Sequence, residues 1–362
     1  MPPNLLLRFD NVGALRSDFA RTARNCADDE RPEETGLVKA AVYSRYGPPD
    51  VVEIRDVEKP VPKDDEVLVE IRAASVNTLD WRLTRGTPRL GRLVIGLRRP
   101  KTNLLGRDVA GRVESVGRNV TRFKPGDEVF GVCRGAFAEY GCAAEGKLAI
   151  KPAGVSFEQA AAMPVAASTA LQGLRDRGRL RRGDQVAVDG ASGGVGTFAV
   201  QIARALGAEV TAVCSTRNVE AAASMGAAHV VDYTREDFTR SGRRYDLILG
   251  ANAHHSIFDY RRALSDNGRY VLCGGGGIQM CQAIFLGPLL SRMGSRKMGI
   301  VMAKIDEKDL ALLAQFVADG KVVPAIDRRY PLTGVPDALR YLEEGHARGK
   351  VVITLGGEAA DA

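Results

Sequence analysis

Residues 190–196 read GASGGVG, a stretch almost bare of side chains between an apolar run (QVAVD, 185–189) and a helix-like run from Gly194 to Leu206. Small residues at a strand-to-helix turn let backbone N–H groups approach a phosphate, and the helix N-terminus adds partial positive charge. Ala191, Gly193 and Gly196 stand at the three special positions of the dinucleotide-binding fingerprint, with Ala in place of the first glycine. Ala191, Ser192, Gly193, Gly194, Val195 and Gly196 are therefore expected to cradle a pyrophosphate.

The next chemical question is the ribose. An NAD site places Asp or Glu at the end of the second strand, about 20 residues on, to accept from the ribose hydroxyls. No acid lies between Val210 and Val219; CSTRN (214–218) offers the Ser215 hydroxyl and the Arg217 guanidinium instead. A planar guanidinium suits phosphate oxygens, so the expected cofactor is NADP(H). Far upstream, Asn77 and Asp80, the candidate catalytic residues, are three apart in a predicted helical turn and can project from one side of it, Asp80 either as a buried structural partner of the turn or in direct contact with the reacting pair.

The elements that must position these groups fall into two textures. From Val38 to Pro152, short alternating runs broken by Pro, Gly and Asp predict a compact antiparallel β domain. From Gly183, strands alternate with helical stretches, which predicts a parallel sheet with crossover helices. From about Lys304 come a helix capped by Asp306, a helix through PDALRYLEEG and a strand KVVITLG; these are too few to bury themselves and should dock on the first domain. The fold class is thus α/β, a β-rich domain split by a doubly wound parallel sheet.

Composition narrows the class. A 362-residue chain with 45% hydrophobic and 26% charged residues is an ordinary globular protein of roughly two domains. The net charge of +7 comes without a basic stripe interleaved with aromatics, so no nucleic-acid partner is expected. The densest basic cluster, RDRGRLRRG (175–183), is read as a solvated loop. No run reaches the roughly 18 apolar residues of a membrane span. Six cysteines without CxxC spacing predict free thiols in a reducing cytoplasm. Residues 1–36 mix arginines with the acidic CADDERPEE and are expected to be a weakly ordered extension.

With these residues in view, the chain resembles the zinc-independent quinone oxidoreductase (zeta-crystallin-like) branch of the medium-chain dehydrogenase/reductase superfamily. The resemblance runs in order through SVNTLDW (75–81), LGRDVAGRVESVG (105–117), FKPGDEVFG (123–131), GAFAEY, PVAASTALQGL (164–174), GASGGVG and GKVVI (349–353). It implies a groES-like catalytic domain of residues 37–165 and 304–357, a Rossmann NADP(H)-binding domain of 166–303, a tail of 358–362, and a homodimer. It also implies that Asn77 lies near the nicotinamide as orienter and hydrogen-bond donor. Thr169, Tyr233, Asn252 and Lys350 would touch the cofactor, with Tyr233 near the same phosphate as Arg217.

In the zinc-dependent branch of that superfamily the ligands fall at positions held here by Asn77, Arg107 and Val165, none of which suits zinc. No metal is expected. Hydrogen bonds alone polarise electron-poor acceptors best, which favours hydride transfer to a quinone or to an enone or enal. A zinc-free alcohol dehydrogenase and a non-catalytic NADPH sensor stay open as alternatives. The tyrosine that many relatives carry after the NxxD element is missing from residues 82–103, so no proton donor is identified and water is the expected source. His254 and His255 are read as loop or adenine-side packing, with catalysis as the lesser alternative, and His346 as structural. Arg98, Arg99 and Lys101 are read as solvated, the alternative being a cleft mouth that attracts anions.

Overall fold

The computed structural model describes residues 36–356. The expected N-terminal extension, apart from Gly36, and the tail at 358–362 lie outside the described residues.

The predicted strands beyond Gly183 form a six-stranded parallel sheet. Its order is His229–Asp232, Glu209–Cys214, Gln185–Asp189, Tyr245–Gly250, Leu264–Leu272 and Lys297–Ile300. Taken along the chain this is 3-2-1-4-5-6, the doubly wound arrangement, whose crevice opens at the carboxyl ends of the strands where the order reverses. That point lies between Gln185–Asp189 and Tyr245–Gly250, paired as Gly250 with Asp189. The strands read as continuous apolar runs because both faces are covered. Val186 and Val188 face a core with Phe198 of the helix Gly194–Ala205, while Ala187 and Val213 face the opposite core with Ile257 and Tyr260.

The earlier strands build an antiparallel sheet around Glu66–Val76, which pairs with Asp108–Val116, Tyr140–Ala144 and, from the far end of the chain, Lys350–Thr354. Register matters here. Ser75 lies opposite Asp108 on one side and opposite Val352 on the other, so Asn77, Asp108 and Lys350 arrive together at one end of three neighbouring strands. Leu37–Tyr43 and Val52–Glu58 form a separate antiparallel pair.

The two sheets share a core. Ala73, Ala110 and Phe130 of the antiparallel sheet belong to the same buried cluster as Val186 and Val188, joined through the helix Pro164–Gln172, eight of whose nine residues are buried. The helix Glu307–Ala318 is capped by Asp306, whose side chain accepts from the Asp309 N–H. The stretch 175–183, expected as a solvated loop, leaves Arg177, Arg179, Arg181 and Arg182 exposed, but its first residues differ from that reading. Residues Gly173–Arg177 continue the preceding helix as a π-helical turn, and Arg175 Nη1 pairs with the buried Asp309 Oδ1 at 2.7 Å. A run of arginines looks solvated in sequence when the acid that fixes one of them lies more than a hundred residues away.

Candidate functional site

At the carboxyl edge of the parallel sheet the turn after Gln185–Asp189 is made by Gly190, at φ +84°. That conformation strains any side chain, and it falls one residue before Ala191, the fingerprint position. Ala191 itself is buried, and its N–H is spent on Val213 O at 3.0 Å. At Gly196 an added Cβ would lie 2.0 Å from Gly190 O, so this glycine permits helix and strand to close on each other. At Gly193 an added Cβ would meet only Gly190 O, 3.7 Å away, and would otherwise project into open space. The first N–H groups of the helix Gly194–Ala205 lack partners within their own helix at this end. Residues 192–196 thus make a bare, N–H-lined cradle that fits a pyrophosphate.

The cleft beyond it is lined by Ser192, Gly193, Ser215, Arg217, Tyr233 and Asn252, so six of the expected cofactor residues converge from four separate turns. Asn218, buried, donates to Ser215 Oγ at 3.1 Å and fixes that hydroxyl. Arg217 is exposed, with Nη2 3.4 Å from His346 O. The nearby acid, Asp232, is engaged by Thr216 Oγ1 at 2.6 Å and by Thr234. Gly190, Asn218, His254 and the segment Gly345–Ala347 also line this cleft and were not expected to do so, except His254 as adenine-side packing. Beneath its floor, Tyr260 Oη donates to the buried Asp189, whose carboxyl is pushed up by burial.

The second half of the site is a buried polar knot. Asp108 is 0% exposed, yet it accepts from Ser75 Oγ (2.8 Å), Asn77 Nδ2 (2.9 Å) and the Val165 N–H (3.0 Å), and pairs with Lys350 Nζ at 3.4 Å. Lys350 Nζ also donates to Asn77 Oδ1 at 2.7 Å and to Val76 O at 3.2 Å. Both ends of the Asn77 amide are therefore held. The stem of Lys350 lies against the phosphate turn, since a Cβ on Gly194 would sit 3.1 Å from Lys350 Cδ. One side chain thus spans the pyrophosphate cradle and Asn77.

Asp80 is 1% exposed, and its Oδ2 accepts the Asn77 N–H at 2.7 Å while Oδ1 is buried without a partner. Burial first, then the nearby Asp108 charge, raises its carboxyl to about 7; the Asn77 N–H, Lys350 and Arg107 pull the other way. Thr169 is nearly buried and its hydroxyl donates to Val165 O at 2.7 Å, within its own helix. Val195, on the first turn of the helix Gly194–Ala205, is partly buried. Asp108 was missed as a functional residue. Its signal, an acid following GR at the start of a strand, was visible but had no partner in sequence. Among the described residues no three His, Cys, Asp or Glu side chains are grouped to hold a metal ion.

Comparison with known proteins agrees with this architecture. Residues 63–162 match the alcohol dehydrogenase GroES-like domain, and residues 225–353 match the zinc-binding dehydrogenase model. The chain is 33% identical to a chloroplast envelope quinone oxidoreductase homolog of Arabidopsis thaliana over 88% of its length and 98% of that protein. It is 30% identical to an NADPH-dependent alkenal/one oxidoreductase of the same plant, over 96% of this chain and 86% of the other. The quinone oxidoreductase structure from Coxiella burnetii superposes with a TM-score of 0.78 at 28% identity, covering 89% of this chain and all of that one.

Proposed function

The chain belongs to the quinone oxidoreductase branch of the medium-chain dehydrogenase/reductase superfamily, and we propose that it is an NADPH-dependent reductase of quinones or of activated double bonds in enones and enals. The observation that carries this reading is the convergence of Ser215, Arg217 and Tyr233 on the cleft that begins at the glycine cradle, with the nearby acid engaged elsewhere. Residues 192–196 would hold the pyrophosphate. Ser215, Arg217 and Tyr233 would hold the 2′-phosphate, Asn252 would face the adenosine half, and Lys350 would reach from the cradle toward the reacting end. Thr169 would pack beside the nicotinamide.

When bound, reduced nicotinamide supplies a hydride, and the acceptor takes up one proton to complete a two-electron reduction. The protein's part is positioning. Lys350 and Asp108 fix the plane of the Asn77 amide, and Asp80 fixes the turn that carries it. Asn77 in turn orients the acceptor against the nicotinamide. Asp80, buried and turned onto the Asn77 backbone, acts through that residue as a positioning group. A quinone or enone needs no stronger electrophile than such hydrogen bonds, and the proton comes from water.

The relatives named above support the acceptor class, and the name of the alkenal/one oxidoreductase supports NADPH. NADPH consumption over a panel of quinones, enals, saturated ketones and alcohols tests the reading. Turnover with quinones or enals, and preference for NADPH over NADH, is expected. Cofactor binding without turnover of any acceptor would replace the enzyme with a sensor, and turnover confined to ketones and alcohols would make it a dehydrogenase.

We further propose that two chains pair through the open edge strand Lys297–Ile300 of the parallel sheet, beside which Phe285 (74% exposed) and Met293 (68%) present apolar surface. Mass in solution tests this. The free thiols Cys133, Cys142, Cys214, Cys273 and Cys281 fit a reducing compartment, and we assign the cytoplasm. No helix among the described residues is long and apolar enough to cross a membrane.

A further inference from the structure

Residues 82–107 contain eight Lys or Arg and no Asp or Glu. Both ends of this segment are tied to the site. At its start Arg82 Nη2 donates to Gly275 O at 3.0 Å, beyond the strand Leu264–Leu272 of the parallel sheet, and at its end Arg107 adjoins Asp108. Between them the segment is held down: Tyr46 Oη donates to Gly96 O at 2.6 Å, and Lys101 N donates to Ile95 O at 2.8 Å. The segment is therefore held in place, and its two ends adjoin the helix that carries Asp80 and the buried Asp108.

Three of the eight cations have structural work. Arg82 makes the bond just described, Arg85 pairs with Glu343 at 2.8 Å, and Arg92 lies 4.4 Å over the Tyr46 ring. The other five, Arg89, Arg98, Arg99, Lys101 and Arg107, are exposed, and among the described residues none of their side chains has a hydrogen-bond or ion-pair partner. Arg107 adjoins the buried Asp108 in sequence and lies close enough for its charge to act on the Asp80 carboxyl. Like charges gathered without counterions repel one another and make a local positive potential that raises the concentration of anions at the opening. Among the described residues no side-chain contact explains their gathering.

Resting on the reductase reading, we propose that the acceptor is itself an anion: a quinone or enone that carries a carboxylate, sulfonate or phosphate outside its reacting group, taken by Arg98, Arg99, Lys101 and Arg107. The reacting group reaches Asn77 while the charged group stays at the rim. The neutral part of the acceptor has apolar surface nearby in Leu93 and Leu97, 69% and 66% exposed.

Rates of NADPH oxidation with 1,4-naphthoquinone and with 1,4-naphthoquinone-2-sulfonate test this in the full-length protein, in an Arg98→Gln/Arg99→Gln/Lys101→Gln variant, and in Arg107→Gln. The comparison within each protein cancels the difference in intrinsic reactivity. The ratio of kcat/KM for the sulfonate to that for the neutral quinone should fall about tenfold in the triple variant, chiefly through KM, the scale of electrostatic steering. Raising salt to about 0.5 M should lower the same ratio in the parent and move it less in the variant. A ratio that no variant and no salt changes overturns the proposal. So does a loss of sedimentation with phosphatidylglycerol vesicles in the variants while the ratio stays put, because the rim would then serve a lipid surface. Absence of NADPH oxidation with either quinone overturns the reductase reading, and the anionic acceptor with it.

Discussion

Asp80→Asn should remove most of one identifiable component of the pH dependence of stability. Burial disfavours the charge of the Asp80 carboxyl and pushes it up to about 7 in the folded protein, against about 3.9 for an unperturbed aspartate. A raised acid binds its proton more tightly folded than unfolded, so the folded state holds the extra proton between those two values. Its stabilising effect is fully present below about pH 4, declines as pH rises, and is gone above pH 7. Between pH 8 and pH 5 the change spans about two pH units below the folded value, which at 1.36 kcal/mol per unit is about 3 kcal/mol. Asparagine resembles the protonated carboxyl: its oxygen can still accept the Asn77 N–H, and it does not titrate. Urea unfolding of parent and variant at several pH values gives the difference directly, since groups common to both cancel. The parent should gain about 3 kcal/mol relative to the variant on going from pH 8 to pH 5. A difference that stays flat over that range would show that Asp80 is ionised throughout and that its buried, unpartnered Oδ1 is better solvated than the packing implies.

Arg217→Ala should weaken NADPH binding by about 1.5–3 kcal/mol in fluorescence titration and leave NADH nearly unchanged; equal losses would remove Arg217 from the phosphate. Gly193→Ala and Gly196→Ala should separate. The first should melt within about 1 kcal/mol of the parent but bind cofactor poorly, whereas the second should lose about 1–3 kcal/mol of stability because its Cβ meets Gly190 O at 2.0 Å. Lys350→Met leaves Asp108 charged and fully buried, and should cost about 3–5 kcal/mol in denaturant unfolding. Activity should survive exhaustive dialysis against a chelator; loss restored by zinc would contradict the reading of Asn77, Arg107 and Val165.

What was legible in the sequence was local. The apolar runs flanking GASGGVG announced a strand, a bare turn and a helix, and the change of texture near Gly183 announced a second kind of sheet. Those patterns gave a β-rich domain and a parallel sheet with crossover helices; the groES-like and Rossmann class came from the resemblance. Spacing marks Ala191 as the first fingerprint position, while the left-handed turn itself falls one residue earlier, on Gly190. The Asp108 knot could not be read at all. Its meaning depends on register between strands, and its partner Lys350 lies 242 residues away. For the same reason the residues 345–347 that close the cleft opposite Arg217 carried no signal. Arg175 failed likewise, its partner Asp309 being 134 residues distant.

The strand Glu66–Val76 and the strand Lys350–Thr354 complete one sheet, yet the bond from Lys350 Nζ to Val76 O spans 274 residues of chain. During synthesis at about 5–20 residues per second, the earlier strand waits roughly 14 to 55 seconds for its neighbour. The parallel sheet from Gln185 to Ile300 emerges whole in that interval, while the first sheet offers a naked apolar edge to whatever is nearby. That edge stays open until Lys350–Thr354 pairs with it, and the strand that closes it is also the one that brings Lys350 Nζ to Asn77 and Asp108.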